Sequence, residues 1–130
     1  NFQFEVHRVE ALIKQLDPAA EFSEQRLYRA IINGYVAKEY NGPELIGMGW
    51  IYPRITLLRK TAVIEDMCVL EAFRGKGIGR RILQRLIDWA KASGIDTIEL
   101  TTGHHREAAY NLYKSEGFTD HPTRHMLLKL

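Results

Sequence analysis

Between an apolar run, Ala62 to Leu70, and an amphipathic stretch that begins at Ile78 lies Arg74-Gly75-Lys76-Gly77-Ile78-Gly79-Arg80-Arg81. Glycines interleaved with cations where a strand meets a helix make an anion site. Backbone N–H groups and the helix dipole converge there on a negative group. Glycine lets the backbone close around that group, and the flanking arginines and Lys76 add charge-assisted hydrogen bonds. Spacing narrows the choice of anion. The P-loop pattern G-x-x-x-x-G-K-[ST] is absent. The dinucleotide fingerprint G-x-G-x-x-G fails as well, because the glycines here run G-x-G-x-G. What fits is [RQ]-x-x-G-x-[GA], as Arg74-x-x-Gly77-x-Gly79 at the end of the apolar strand.

A second pattern lies further on: His105-Arg106-Glu107-Ala108-Ala109-Tyr110-Asn111-Leu112-Tyr113-Lys114-Ser115-Glu116-Gly117-Phe118. The first stretch, read from Val69 to Gly79, resembles V-x-P-x-x-R-G-x-G-I-G of the Gcn5-related N-acetyltransferases, with Glu71 where proline is usual. The second resembles that family's N-x-x-A-x-x-x-Y-x-x-x-G-F segment through Ala109, Tyr113, Gly117 and Phe118, with Arg106 in place of the asparagine. The resemblance covers roughly residues 35 to 130 and implies an acetyl-coenzyme A-dependent enzyme. It implies that the pantetheine arm lies along the strand at Met67, Cys68 and Val69. Gly75, Lys76, Gly77, Ile78, Gly79 and Arg80 would surround the pyrophosphate, with Arg74 opening the loop. Asn111 faces either the cosubstrate or solvent. The asparagine replaced by Arg106 commonly helps to hold the pantetheine.

Acetyl transfer to an amine needs a deprotonated acceptor, a stabilised oxyanion, a proton for the departing thiolate and two reactants held together. By the same resemblance Tyr113 is the proton donor; a phenol of pKa about 10 keeps its proton at neutral pH. The alternative is a tyrosine packed in the helix stripe. Acceptor deprotonation has several candidates: Glu65 acting through a water, which the reading favours, then Asp66, Glu99, His104 and His105, or water alone. Glu65 and Asp66 are adjacent on a strand, so strict alternation sends them to opposite faces. A carboxylate on an apolar strand is costly unless paired or wet. The function read from these residues is transfer of acetyl from the thioester to a primary amine, of a small molecule foremost or of a protein or peptide. The alternative is a non-catalytic acyl-coenzyme A-binding or regulatory domain.

The bulk properties restrict the other classes. The 130 residues are 45% hydrophobic and 26% charged, which predicts a single domain over residues 1–130. A net charge of +2 is too mild for a nucleic-acid binder. Apolar runs are too short for a membrane span, and the N-terminal residues do not read as a signal peptide, so the expected location is cytoplasmic. The chain begins without methionine. The single cysteine, Cys68, within an apolar run, reads as a buried small hydrophobe and argues against a disulfide framework. Five histidines lack acid or cysteine partners at metal-ligand spacing, so no metal is expected. A homodimer is open, since family relatives often pair through terminal strands.

The elements that must position these residues follow from periodicity. Phe2, Phe4 and Val6 alternate and predict a strand over Phe2 to Val9; Val9, Leu12, Ile13 and Leu16 then form a helical stripe. Ser23 caps a second helix that ends at Asn33-Gly34. Tyr35 to Tyr40 and Glu44 to Tyr52 predict a hairpin around Asn41-Gly42-Pro43, followed by a polar connection from Pro53 to Lys60. Thr61 to Leu70 predicts a central strand and Ile78 to Ala92 a helix stopped by Ser93-Gly94. Thr97 to Thr102, Arg106 to Ser115 and Thr123 to Leu130 predict a strand, a helix and a closing strand. With the resemblance, this is an α/β (α+β) acetyltransferase fold: a mixed, mostly antiparallel sheet of about six to seven strands flanked by about four helices.

Overall fold

The computed structural model describes residues 2–130. In chain order the elements are α1 (Phe2–Leu16), α2 (Glu24–Asn33), β1 (Tyr35–Asn41), β2 (Glu44–Ile55), β3 (Lys60–Val69), α3 (Ile78–Ala92), β4 (Thr97–Leu100) and α4 (Glu107–Ser115). The strands form one sheet in the order β1-β2-β3-β4; β1 and β3 flank β2 antiparallel, and β4 runs parallel to β3. Helices cover both faces. Glu39 of β1 binds Arg81 and Arg85 of α3, while the adjacent Lys38 binds Glu5 of α1 at 2.8 Å. Neighbouring strand residues point to opposite faces, so α1 and α3 sandwich the sheet.

The mixed α/β architecture expected from the sequence is present. α3 forms where predicted because Ile78, Ile82, Leu83, Leu86 and Ala90 recur at helical spacing and all are buried against the sheet. That helix sits close because β2 offers glycine beneath it: a Cβ on Gly49 would lie 2.6 Å from Met67 Sδ and 2.9 Å from Ile82. Ser23 caps α2, its Oγ accepting from Arg26 N–H at 3.3 Å.

Three expectations about strands are corrected. The predicted N-terminal strand is the first half of α1. Its alternation is only three residues long, whereas Val6, Val9 and Leu12 continue a helical stripe and are buried together. β2 runs on to Ile55, into the expected Pro53–Lys60 connection, and β3 starts at its last residue, Lys60. Pro53 is tolerated because β1 pairs β2 only as far as Ile51, so the missing N–H faces no strand. Finally, 123–130 enters no ladder among the described residues, and its Met126, Leu127, Leu128 and Leu130 are exposed. Among the described residues the sheet counts four strands, where six to seven were expected. Among the described residues no helix is long and apolar enough to cross a membrane.

Candidate active site

β3 outruns its neighbour β4 at the place that matters. Its ladder with β4 ends at Ile64 and Leu100, while β3 itself continues to Val69. Beyond Ile64 the side of β3 that faces away from β2 has no strand partner among the described residues. Along that open edge the carbonyls of Met67 and Val69 point outward, since both accept side-chain donors from beyond the sheet. Cys68, between them, turns its backbone toward β2, where it is registered with Met48. Of the three strand residues expected at the pantetheine, Met67 and Val69 lie on the open edge and Cys68 presents its backbone to the other side.

The bulge that splits β3 from simple alternation is at Asp66. Met48 pairs with Cys68 and Trp50 with Glu65, so two steps on β2 span three on β3. Asp66 takes the strain at φ 54, a left-handed conformation that aspartate tolerates better than most residues. Alternation therefore does not separate Glu65 from Asp66 as expected. Glu65 stands opposite Trp50 and accepts from the Tyr52 hydroxyl at 3.4 Å; Trp50 and Tyr52 stack with ring centres 4.6 Å apart. Burial and then the Glu65 charge raise the Tyr52 phenol above its ordinary pKa. Asp66 stays accessible at its surface, yet the protein packed around it lifts its carboxyl above the usual range. Glu99, the second candidate base, is engaged by Arg54 and by the Thr61 hydroxyl. His104 and His105 are exposed in the loop before α4.

At the end of β3 a short 3-10 turn, Glu71–Phe73, leads into the glycine loop. Gly75 and Gly77 take φ of 78 and 79, and Gly77 caps α3. The first helical bond runs from Arg81 N–H to Gly77 O at 3.1 Å, which leaves the N–H groups of Ile78, Gly79 and Arg80 ahead of the ladder. Those donors, at the positive end of the helix, suit a phosphate. The side chains divide sharply. Arg80 is held by Glu116 and by Ser115 Oγ, Arg81 by Glu39, and Arg85 by Glu39, Lys38 O and Tyr35 Oη. Lys76 lies over the Phe73 ring and Arg74 donates to Val69 O at 3.1 Å, so these two carry the loop's charge without a carboxylate partner among the described residues. These long-range pairs have no sequence signature.

α4 closes the third side. A Cβ on Gly79 would meet Leu112 at 3.4 Å and Val69 at 3.9 Å, so the start of α3, the end of β3 and α4 converge at that glycine. Tyr113 is buried, its ring 5.8 Å from that of Phe118. Burial raises its phenol above the ordinary range, and the Arg106 guanidinium draws it partly back. Asn111 is exposed on α4. Cys68 is buried and its thiol is pushed up to about 11, chiefly by burial, so it is no nucleophile at neutral pH. Among the described residues no three His, Cys, Asp or Glu side chains gather as a metal site.

An open strand edge with outward carbonyls, running into a glycine loop at a helix N-terminus, fits an extended amide arm that ends in phosphates. Known proteins resemble this chain in sequence and in fold. The acetyltransferase (GNAT) family model matches residues 6–118. The uncharacterized N-acetyltransferase YdgE of Bacillus subtilis is 32% identical over 107 residues, covering 77% of this chain and 68% of that protein. YhfO of the same organism, likewise an uncharacterized N-acetyltransferase, is 32% identical over 84 residues, and the match spans 56% of its length. The thialysine N-epsilon-acetyltransferase of Bos taurus is 26% identical over 102 residues, 76% of this chain and 60% of that one. The matched stretches thus span about half to two thirds of these relatives. Among solved structures, the glucosamine-6-phosphate N-acetyltransferase of Arabidopsis thaliana superposes with a TM-score of 0.80 at 18% identity, covering 98% of this chain and 93% of that one. The fold is shared at that distance.

Proposed function

The chain belongs to the acetyltransferase (GNAT) family, and from that premise we propose that residues 1–130 form one catalytic domain, an acetyl-coenzyme A-dependent N-acetyltransferase acting on a primary amine of a small molecule. The observation that carries this reading is the convergence of the open β3 edge, the glycine loop and the buried Tyr113. Met67 and Val69 would hold the arm of acetyl-coenzyme A. Gly75, Lys76, Gly77, Ile78, Gly79 and the Arg80 backbone would hold its phosphates. The cosubstrate supplies an activated acyl thioester; the rest of the chemistry falls to the chain.

Glu65 takes the proton from the incoming ammonium, directly or through a water, because an ammonium has no lone pair with which to attack. Its placement beside the stacked Trp50 and Tyr52 gives a cation both a carboxylate and aromatic faces to lie against. Tyr113 keeps its phenolic proton and gives it to the leaving sulfur. Relatives differ in the acceptor their names state, from thialysine to glucosamine 6-phosphate, so membership of the family does not choose one.

The test is release of thiol from acetyl-coenzyme A across a panel of primary amines, with Glu65→Gln beside the parent. Turnover with at least one amine is expected, and Glu65→Gln should lower it by about 10²-fold or more near neutral pH. That deficit should shrink as pH approaches the amine's own pKa, about 10.4 for a lysine-like amine, where the acceptor arrives deprotonated. A rate indifferent to Glu65→Gln would move the base elsewhere. Binding of the cosubstrate with no turnover on any amine would favour the non-catalytic acyl-coenzyme A-binding reading.

A further inference from the structure

The open edge of β3 is covered in this structure by two arginines. Arg106 Nη2 donates to Met67 O at 3.4 Å and Arg74 Nε donates to Val69 O at 3.1 Å. The two carbonyls are two residues apart and therefore on the same edge. An unpaired strand edge exposes acceptors that need partners, and long basic side chains are a recurrent way to supply them. Arg74 reaches its carbonyl from the adjoining loop. Arg106 comes from farther away. It follows the loop that leaves β4, caps the start of α4, and its guanidinium returns across the gap between the diverging strands to reach β3. Its charge is also felt by the Tyr113 phenol and by Cys68, which places the cation inside the site.

We infer that Arg106 competes with the cosubstrate: it occupies the Met67 carbonyl that the amide arm of coenzyme A needs, and must leave it for the arm to pair with β3. The inference rests on the acetyl-coenzyme A reading above. It gives Arg106 a role opposite to the one its place in the family motif suggests, where an asparagine helps to hold the arm. Arg74 caps the second carbonyl, but it belongs to the loop that would receive the phosphates. Its removal would disturb two functions at once. Arg106 carries no such ambiguity, since its side chain makes no other hydrogen bond among the described residues.

The experiment is calorimetric titration of the parent chain, Arg106→Ala and Arg106→Lys with two titrants. One is coenzyme A. The other is its phosphoadenosine diphosphate fragment, which carries both bridging phosphates and none of the amide arm. Arg106→Ala should bind coenzyme A about two- to tenfold more tightly, the range expected for losing one competing hydrogen bond, and bind the fragment as the parent does. Arg106→Lys, which keeps a cation and donor, should restore parental affinity. If Arg106→Ala does not fold, Arg106→Gln, too short to span the gap, should show the same tightening. Unchanged or weaker binding of coenzyme A would overturn the proposal, and so would equal tightening of both titrants. A parent chain that binds neither would bring down the acetyl-coenzyme A reading and this proposal with it. A parent that binds both isolates the question to Arg106.

Discussion

Tyr113→Phe is expected to lower turnover by about 10²- to 10⁴-fold, the usual contribution of a positioned general acid, while leaving acetyl-coenzyme A affinity close to that of the parent. The substitution is unusually clean. The Tyr113 ring is buried and packed on Phe118, and phenylalanine keeps both contacts. Its hydroxyl has no hydrogen-bond partner among the described residues, so removing it breaks nothing that holds the fold. Thermal unfolding of the variant should coincide with the parent. The direction of its pKa shift bears on pH dependence. Burial raises the phenol above the ordinary tyrosine range, and Arg106 offsets only part of that rise. The acid therefore stays protonated throughout the neutral and mildly alkaline range, and no loss of activity below about pH 10 should trace to Tyr113. Steady-state kinetics of parent and variant from neutral to alkaline pH check both points. Equal rates across that range would remove Tyr113 from the chemistry and leave it a core residue.

Gly77→Val is expected to weaken coenzyme A binding by about 10- to 100-fold or more. The reason is conformational, not steric. Only the Arg81 guanidinium comes within 4.0 Å of a Cβ placed on Gly77, so there is room for a side chain. The backbone, however, holds φ 79, which valine adopts only at a cost of about 1–3 kcal/mol. The loop would relax toward negative φ and turn the N–H groups of Ile78, Gly79 and Arg80 away from a common point. Arg80, Arg81 and Arg85 are tied to Glu116 and Glu39, so Lys76 and Arg74 are the loop cations left to offset the loss. Titration calorimetry reads the effect directly, and α3 should remain folded because its buried stripe begins after the substituted residue. Parental affinity in Gly77→Val would mean that the phosphates lie elsewhere.

Local chemistry made much of this architecture readable. α3 is bounded by a left-handed glycine and a Ser-Gly stop, and its apolar stripe holds one periodicity from Ile78 to Ala90; nothing competes with that reading. Ser23 is similar: a hydroxyl three residues before the N–H that it accepts from is a short-range geometry, written in adjacent residues. The loop Arg74 to Arg81 was legible for the same reason. What escaped is what depends on distant partners. Asp66 enters a left-handed bulge because β2 and β3 must keep register on both sides of it, and no property of Ile64-Glu65-Asp66-Met67 announces that. The pairing of Arg80 with Glu116 and the reach of Arg106 to Met67 join residues 36 and 39 positions apart. Phe2 to Val9 misled because three alternating apolar residues suit a strand as well as two turns of helix. The segment 123–130 has the composition of a strand but no neighbouring edge in the ladder, and a strand is defined by its partner.

The measurement that bears most directly on the whole account is calorimetric titration of this chain with acetyl-coenzyme A. The open β3 edge, the glycine loop and the start of α3 together predict a single site with a dissociation constant in about the micromolar range, typical of enzyme–substrate pairs. The absence of any binding would contradict the account at its root, because no other part of the proposed chemistry can proceed without that site.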